Sequence, residues 1–267
     1  MPGKPMSDAG EMPLRPSVQA RMPPPPLGCP AGWHPAPPDF VGVGTMRSGT
    51  SWWHHLISRH PDVARLAGRD KELHYFGQFA LGGVPDPSDY CRYFPRPTGK
   101  IAGEWTPRYI VDYWTPGLIS DLAPTARILV MLRDPVDRLI SGISYTQEGG
   151  RVGAVQLNLQ LQRSQYCAQL ENLLNYFPRE QILVLQYEKC VAAIQRELNH
   201  TFEFLGLDPG KLQFSPSMQR PVNELRANRV TLSDRSLAAA RTALQPDLQR
   251  LGHKFPDVDQ SLWRSCR

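Results

Sequence analysis

The segment Gly44-Thr45-Met46-Arg47-Ser48-Gly49-Thr50-Ser51 constrains this chain more than any other, because it joins a short apolar run to a stretch with helical spacing. Strand, glycine loop, helix is the context in which backbone amides and a helix N-terminus gather round a phosphate. The spacing matches GxxxxGK[ST] with one change: Thr50 stands where the lysine belongs. That lysine reaches the β- and γ-phosphates of ATP, and the hydroxyl after it holds magnesium, so its loss argues against a nucleoside triphosphatase. The positive charge has moved upstream to Arg47. A ligand that places one phosphate at the loop, without a γ-phosphate, fits better; the plainer alternative is a glycine turn that only links strand to helix.

The elements around this loop alternate. DFVGVG (39–44), KIAGEW (100–105), ARILVMLR (126–133) and QILVLQY (181–187) read as buried strands. Helical spacing follows over 51–60 up to Pro61, then in PVDRLISGISYTQE with proline in its first turn, and over about 156–176, 191–206 and 234–250. Strands alternating with helices predict an α/β fold with a parallel sheet covered on both faces. At 267 residues and 41% hydrophobic, the chain can bury the core this requires in one domain, or two small ones. No apolar run approaches the ~18 residues of a membrane span. Twelve of the 27 prolines lie in residues 1–38, which have no signal-like apolar core. This segment is expected to be a disordered or extended tail, or a ligand for a proline-binding module, with the domain over 39–267.

Composition excludes more than it assigns. A net charge of +5 is too dilute for a nucleic-acid coat. The cysteines Cys29, Cys91, Cys167, Cys190 and Cys266 form no CxxC pair, and the seven histidines show no ligand spacing, so no metal is expected and the thiols read as reduced and cytoplasmic.

A second constellation is Arg133 and Ser141, in ILVMLRDPVDRLISGISY. Arg133 leaves the C-terminal end of a strand, the edge where open parallel sheets bind ligands. An arginine fork with a hydroxyl suits a second phosphate. Alternatively Arg133 pairs with Asp134 or Asp137, and Ser141 is a small packing residue. Glu72, in an otherwise apolar stretch, is a candidate proton acceptor, or a surface partner of Lys71.

Together these segments resemble the sulfotransferases that use 3′-phosphoadenosine 5′-phosphosulfate (PAPS). The first loop is similar to their 5′-phosphosulfate loop and RDPVDRLISGISY (133–145) to their 3′-phosphate motif. HPDV (60–63), KELHYF (71–76), GEWTPRYI (103–110), YFPREQILVLQYE (176–188), FLGLD (204–208) and LQPDLQRLGHKFPDVDQSLW (244–263) resemble the heparan-sulfate-type and related bacterial branch. The resemblance implies a P-loop-containing nucleotide-binding fold, with a parallel sheet of about five strands. It implies sulfonate transfer from PAPS to a hydroxyl or amine of a carbohydrate or small-molecule acceptor, giving the bisphosphate PAP, with no metal, nucleic acid or membrane insertion. Glu72 would be the base, with Arg47 and His74 as further catalytic residues and Tyr75 on the same wall. Arg47, Ser48, Gly49, Thr50, Ser51, Trp52, Arg133 and Ser141 would bind the nucleotide. Arg226, with Arg229, would close over it or form a solvated basic turn, and Arg163 and Tyr166 would join the nucleotide or acceptor wall.

Two departures matter. Arg47 replaces the lysine of many relatives, so stabilisation of the leaving phosphate would be electrostatic, without a donated proton. Trp105 replaces a lysine of the heparan type, which removes a charge near the acceptor and suggests stacking on a sugar face or an aromatic acceptor. The expectation is a soluble, bacterial, cytosolic enzyme. A small-molecule kinase and a catalytically silent nucleotide-binding protein are the competing readings, to be separated by turnover of ATP with magnesium and by nucleotide binding without transfer.

Overall fold

A computed structural model describes residues 22–65, 71–146, 153–213, 215, 218 and 230–266. Its centre is β1 (Phe40–Gly44), buried at every position. β1 pairs in parallel with β2 (Gly103–Trp105) on one side and β3 (Arg127–Leu132) on the other, and β3 pairs in parallel with β4 (Ile182–Gln186), giving the order β2-β1-β3-β4. All four come from the apolar runs named above. Among the described residues the sheet has these four strands where about five were implied, and beyond β1 on the β2 side there are two isolated parallel bridges, Val63 with Ile101 and Lys71 with Trp105.

Side chains alternate across a strand, so β3 feeds two cores. Ile128, Val130 and Leu132 join a core with α3 (Thr115–Leu122), α6 (Tyr166–Leu174) and α9 (Asp234–Lys254). Leu129 and Met131 join the other, with α1 (Thr50–Ile57) and α8 (Ile194–Leu205). The short α2 (Pro87–Cys91) borders the first core through Tyr90. The sheet is thus covered on both faces, as its apolar strands require.

Two expected helices are divided. The stretch over 156–176 is α5 (Ala154–Gln162) and α6, broken at Arg163–Gln165. The break places Ser164 where its hydroxyl donates to the Pro135 carbonyl and accepts from Arg138, a fully buried residue of α4 (Pro135–Thr146). The stretch over 191–206 is the end of α7 (Tyr187–Ala192) and then α8, separated at Ala193, with Gly206 left-handed at its end. α1 stops at Ile57, one turn before Pro61, and His60 organises its exit by accepting the Asp62 amide and donating to the Asp208 carbonyl.

Residues 22–38 run along the domain, with one turn closed by the Trp33 amide on the Pro30 carbonyl. His34 and Arg96 exchange backbone hydrogen bonds, Tyr93 Oη donates to the Pro24 carbonyl, and Trp33 packs on the first core. Residues 1–21 lie outside the described residues.

Candidate active site

The loop leaves β1 at the C-terminal edge of the sheet. Thr45 anchors it: its amide and hydroxyl both donate to the Met131 carbonyl, at 2.9 and 2.8 Å. Its proton being used there, Thr45 Oγ1 accepts the Ser48 hydroxyl at 2.6 Å. Ser48 is fully buried, so its hydroxyl shapes the loop, and what it offers a ligand is its amide. Gly49 has φ +90°, and a Cβ there would lie 2.7 Å from the Tyr187 ring, so only glycine fits. Among the described residues, none of the amides of Met46–Ser51 donates to a backbone acceptor. Amides without backbone acceptors next to the first turn of α1 are the arrangement of an anion site. Thr50 is nearly buried and Ser51 half-buried in that turn. Trp52 points the other way: its indole is in the second core and donates to the Met218 carbonyl.

The loop meets the second constellation directly. Arg47 Nε donates to Ser141 Oγ at 3.2 Å, and its guanidinium lies over Tyr145. Arg133 Nη1 donates to the Arg47 carbonyl at 3.4 Å, and its guanidinium lies over Tyr187. Asp134 does not neutralise Arg133. One of its oxygens caps α4 through the Val136 and Asp137 amides, and the other accepts from the Ser265 amide. Behind them Arg138 spends its donors on Ser164 and Gln160. Burial, and then the charges of Arg163, Arg133 and Arg47, lower its pKa to about 10. Burial likewise lowers that of Arg47, with Arg133 adding to the effect while Tyr145 and Glu72 oppose it. Guanidinium groups crowded this way make a positive field suited to an anion.

Glu72 lies within electrostatic reach of Arg47. Its amide donates to the Trp105 carbonyl at 3.1 Å, Lys71 Nζ is 2.5 Å from Oε1, and His74 Nε2 is 3.8 Å from Oε2. His74 Nε2 is buried without a hydrogen-bond partner. The His74 ring, then Lys71, hold the Glu72 carboxyl at about 2 against the opposing effect of burial. Among the described residues, the non-glycine residues with left-handed backbone are Arg47 (φ 69°), Glu72 (φ 57°) and His74 (φ 54°). Such conformations cost roughly 1–3 kcal/mol each and gather at functional sites.

Three expected wall residues face elsewhere. Trp105 is fully buried in the second core, with its indole donating to the Gly44 carbonyl and its ring filling the space a side chain at Gly42 would need. It cannot stack on an acceptor. Tyr75 is buried in an aromatic cluster with Phe76, Phe79, Tyr90 and Tyr93. Tyr166 is buried, and its hydroxyl donates to the Arg133 carbonyl, so it supports the backbone of Arg133 from beneath. Arg163 is half-buried near Arg108 and Asp112, which form an ion pair at 2.9 Å. Arg226 and Arg229 lie outside the described residues.

Thr45, Arg138 and Glu104 were not anticipated. Glu104 had a visible signal, since a carboxylate inside a buried strand run must be partnered. Among the described residues, no helix is long and apolar enough to cross a membrane.

Comparison with known proteins bears on this site. The family model for the sulfotransferase domain matches residues 37–235. The chain is 28% identical over 186 residues to human heparan sulfate glucosamine 3-O-sulfotransferase 3B1, covering 64% of this chain and 46% of that protein. It is 29% identical over 191 residues to mouse heparan sulfate glucosamine 3-O-sulfotransferase 6, covering 64% and 52%. It is 32% identical over 113 residues to the membrane-associated sulfotransferase kil1 of Dictyostelium discoideum, covering 41% and 23%. The chain thus spans about half or less of the length of these relatives. The crystal structure of a sulfotransferase from Alicyclobacillus acidocaldarius superposes with a TM-score of 0.66 at 23% identity, over 86% of this chain and 99% of that one, which shows a shared fold.

Proposed function

The chain belongs to the sulfotransferase domain family, and on that premise we propose that it transfers a sulfonate from PAPS to a hydroxyl or amine of a carbohydrate or small-molecule acceptor. The observation that carries this reading is the Arg47–Ser141 contact, which closes the phosphate loop onto the second phosphate motif at one sheet edge. The residues fit the nucleotide: loop amides without backbone acceptors, a helix N-terminus, and Arg47 and Arg133 engaged by the Ser141 hydroxyl and the Arg47 carbonyl. We assign the 5′ side to Arg47, Ser48, Gly49, Thr50 and Ser51, and the 3′-phosphate to Arg133 and Ser141. The bound nucleotide supplies an activated sulfonate and departs as adenosine 3′,5′-bisphosphate.

The chain's own part is positioning, proton transfer and charge stabilisation. Glu72 takes the acceptor proton. Lys71 engages Oε1, which leaves Oε2, on the His74 side, free to receive it. His74 holds the carboxylate ionised and orients it. Arg47 offsets charge that develops on the phosphate, and a guanidinium does this without giving up a proton. The acceptor-side wall consists of Glu72, His74 and the Arg108–Asp112 pair. We place the reaction in a unit of residues 39–267, on which residues 22–38 dock. All five cysteines are free, which supports a reducing, cytoplasmic setting.

Incubation with sulfur-labelled PAPS tests this, using heparan sulfate, a simple phenol and an extract of the native cells as acceptors. Label transferred to an acceptor, with matching release of the bisphosphate, is the expected result. No release above the protein-free rate, together with turnover of ATP and magnesium, would overturn it.

A further inference from the structure

Glu104 has no place in the chemistry above, yet its carboxylate is fully buried in the middle of β2 and meets three hydroxyls. Tyr90 Oη at 2.9 Å and Tyr109 Oη at 3.1 Å reach Oε1, and Thr106 Oγ1 at 2.6 Å reaches Oε2. Two of these hydroxyls have a second task. Thr106 Oγ1 accepts the His74 amide at 3.4 Å, and Tyr109 Oη accepts the Tyr75 amide at 2.9 Å. With the Glu72 amide on the Trp105 carbonyl, the whole Glu72–Tyr75 turn hangs from the end of β2. That turn contains two of the three left-handed non-glycine residues.

A hydroxyl has one proton to give. While Thr106 and Tyr109 give theirs to Glu104, their lone pairs are left for the amides of residues 74 and 75. Remove an acceptor at position 104, and a hydroxyl can rotate its proton toward an amide that is itself a donor. The left-handed turn then loses what holds it. A buried carboxylate is costly unless partnered, and Glu104 spends both oxygens on hydroxyls of which two in turn hold the 72–75 turn, which points to a directional role.

We propose that Glu104 is a positioning residue: by taking the hydroxyl protons of Thr106 and Tyr109, it turns their oxygens toward the His74 and Tyr75 amides and so holds Glu72 in place to receive a proton. This rests on Glu72 being the base.

Glu104→Gln keeps the shape but offers a donor in place of one acceptor oxygen, and Thr106→Val removes one link while leaving the carboxylate. Both variants are compared with wild type by amide hydrogen exchange, by adenosine 3′,5′-bisphosphate affinity, and by bisphosphate release from PAPS in the presence of heparan sulfate. In Glu104→Gln, exchange at His74 and Tyr75 should quicken at least tenfold while the β1 amides keep their rates. The bisphosphate Kd should stay within twofold, and kcat should fall at least tenfold with KM within threefold. The double variant should be no slower than the poorer single one, because both break the same chain of bonds. Unchanged exchange at residues 74 and 75 in both variants would overturn the proposal. So would a loss of kcat with equally faster exchange across β1 and weaker nucleotide binding, the mark of general loosening. If wild type releases no bisphosphate with any of the three acceptors named above and turns over ATP with magnesium, the functional reading fails, and hydrogen exchange alone still decides whether Glu104 holds the turn.

Discussion

Arg47 donates its Nε to Ser141 Oγ across 3.2 Å, joining residues 94 positions apart in the chain. The loop's charge is therefore aimed along the sheet edge toward α4 instead of over the loop mouth. A ligand that spans this edge needs an anionic group at each end.

Adenosine 3′,5′-bisphosphate has that form, and ATP does not. A ligand that binds only the native state raises the melting temperature by mass action. Thermal scans should show a clear shift with the bisphosphate and little with ATP plus magnesium. The reverse ranking would favour a kinase.

Arg133 lies on the Tyr187 ring, with its carbonyl held by Tyr166 and without Asp134 as a partner. Arg133→Ala should weaken bisphosphate binding by about 2–4 kcal/mol, the scale of a charge-assisted contact in a partly dry site. Calorimetry gives the affinity, and the apo variant should melt within a few degrees of wild type. An apo variant that unfolds, with normal affinity in what survives, would make the arginine structural.

Glu72→Gln keeps the reach of the side chain and cannot take a proton. Turnover should fall by roughly 10²–10⁴-fold, the usual contribution of a general base. Bisphosphate affinity should barely change. Normal turnover in this variant would return Glu72 to the role of a surface partner for Lys71.

The same carboxyl carries a pH signature. Its folded pKa, about 2, lies below the ordinary value of 4.5, so the fold favours the ionised form. The resulting stability is present above pH 4.5 and lost as pH falls through about 2; the group is part-exposed, so the contribution is small. Carboxyl NMR of the apo protein should place the Glu72 midpoint well below 4.5. A midpoint at the ordinary value would mean that Lys71 and His74 do not hold it.

Gly49→Ala meets two obstacles, a left-handed backbone and the Tyr187 ring. It should lower the melting temperature by several degrees and weaken bisphosphate binding. Adding Tyr187→Leu should return only the steric part. Wild-type stability in Gly49→Ala alone would show that the loop has room to shift.

The strands and the loop after β1 were legible because buried parallel strands are short apolar runs and because the loop is local in sequence. The facing of side chains was harder to read. β2 has three residues, too few for alternation to show which face each one takes, so neither the inward indole of Trp105 nor the buried carboxylate of Glu104 is legible from spacing. Tyr75 and Tyr166 were misplaced for a related reason: each spends its hydroxyl inside the fold, on Asp89 and on the Arg133 carbonyl. The long helix over 156–176 broke because Arg138, buried with three donor groups to satisfy, needs Ser164 off the helical path.

Where a recombinant version of the chain should begin follows from the docked segment before β1. A fragment cut at Asp39 would lose the backbone exchange between His34 and Arg96, strip the cover that Trp33 gives the first core, and leave Tyr93 Oη without the Pro24 carbonyl. Tyr93 also packs on Tyr75, the residue next to His74. Trimming the proline-rich end back to the first strand, a routine step for crystallisation, would thus disturb the packing behind Glu72 and His74, whereas a start near residue 22 keeps these contacts.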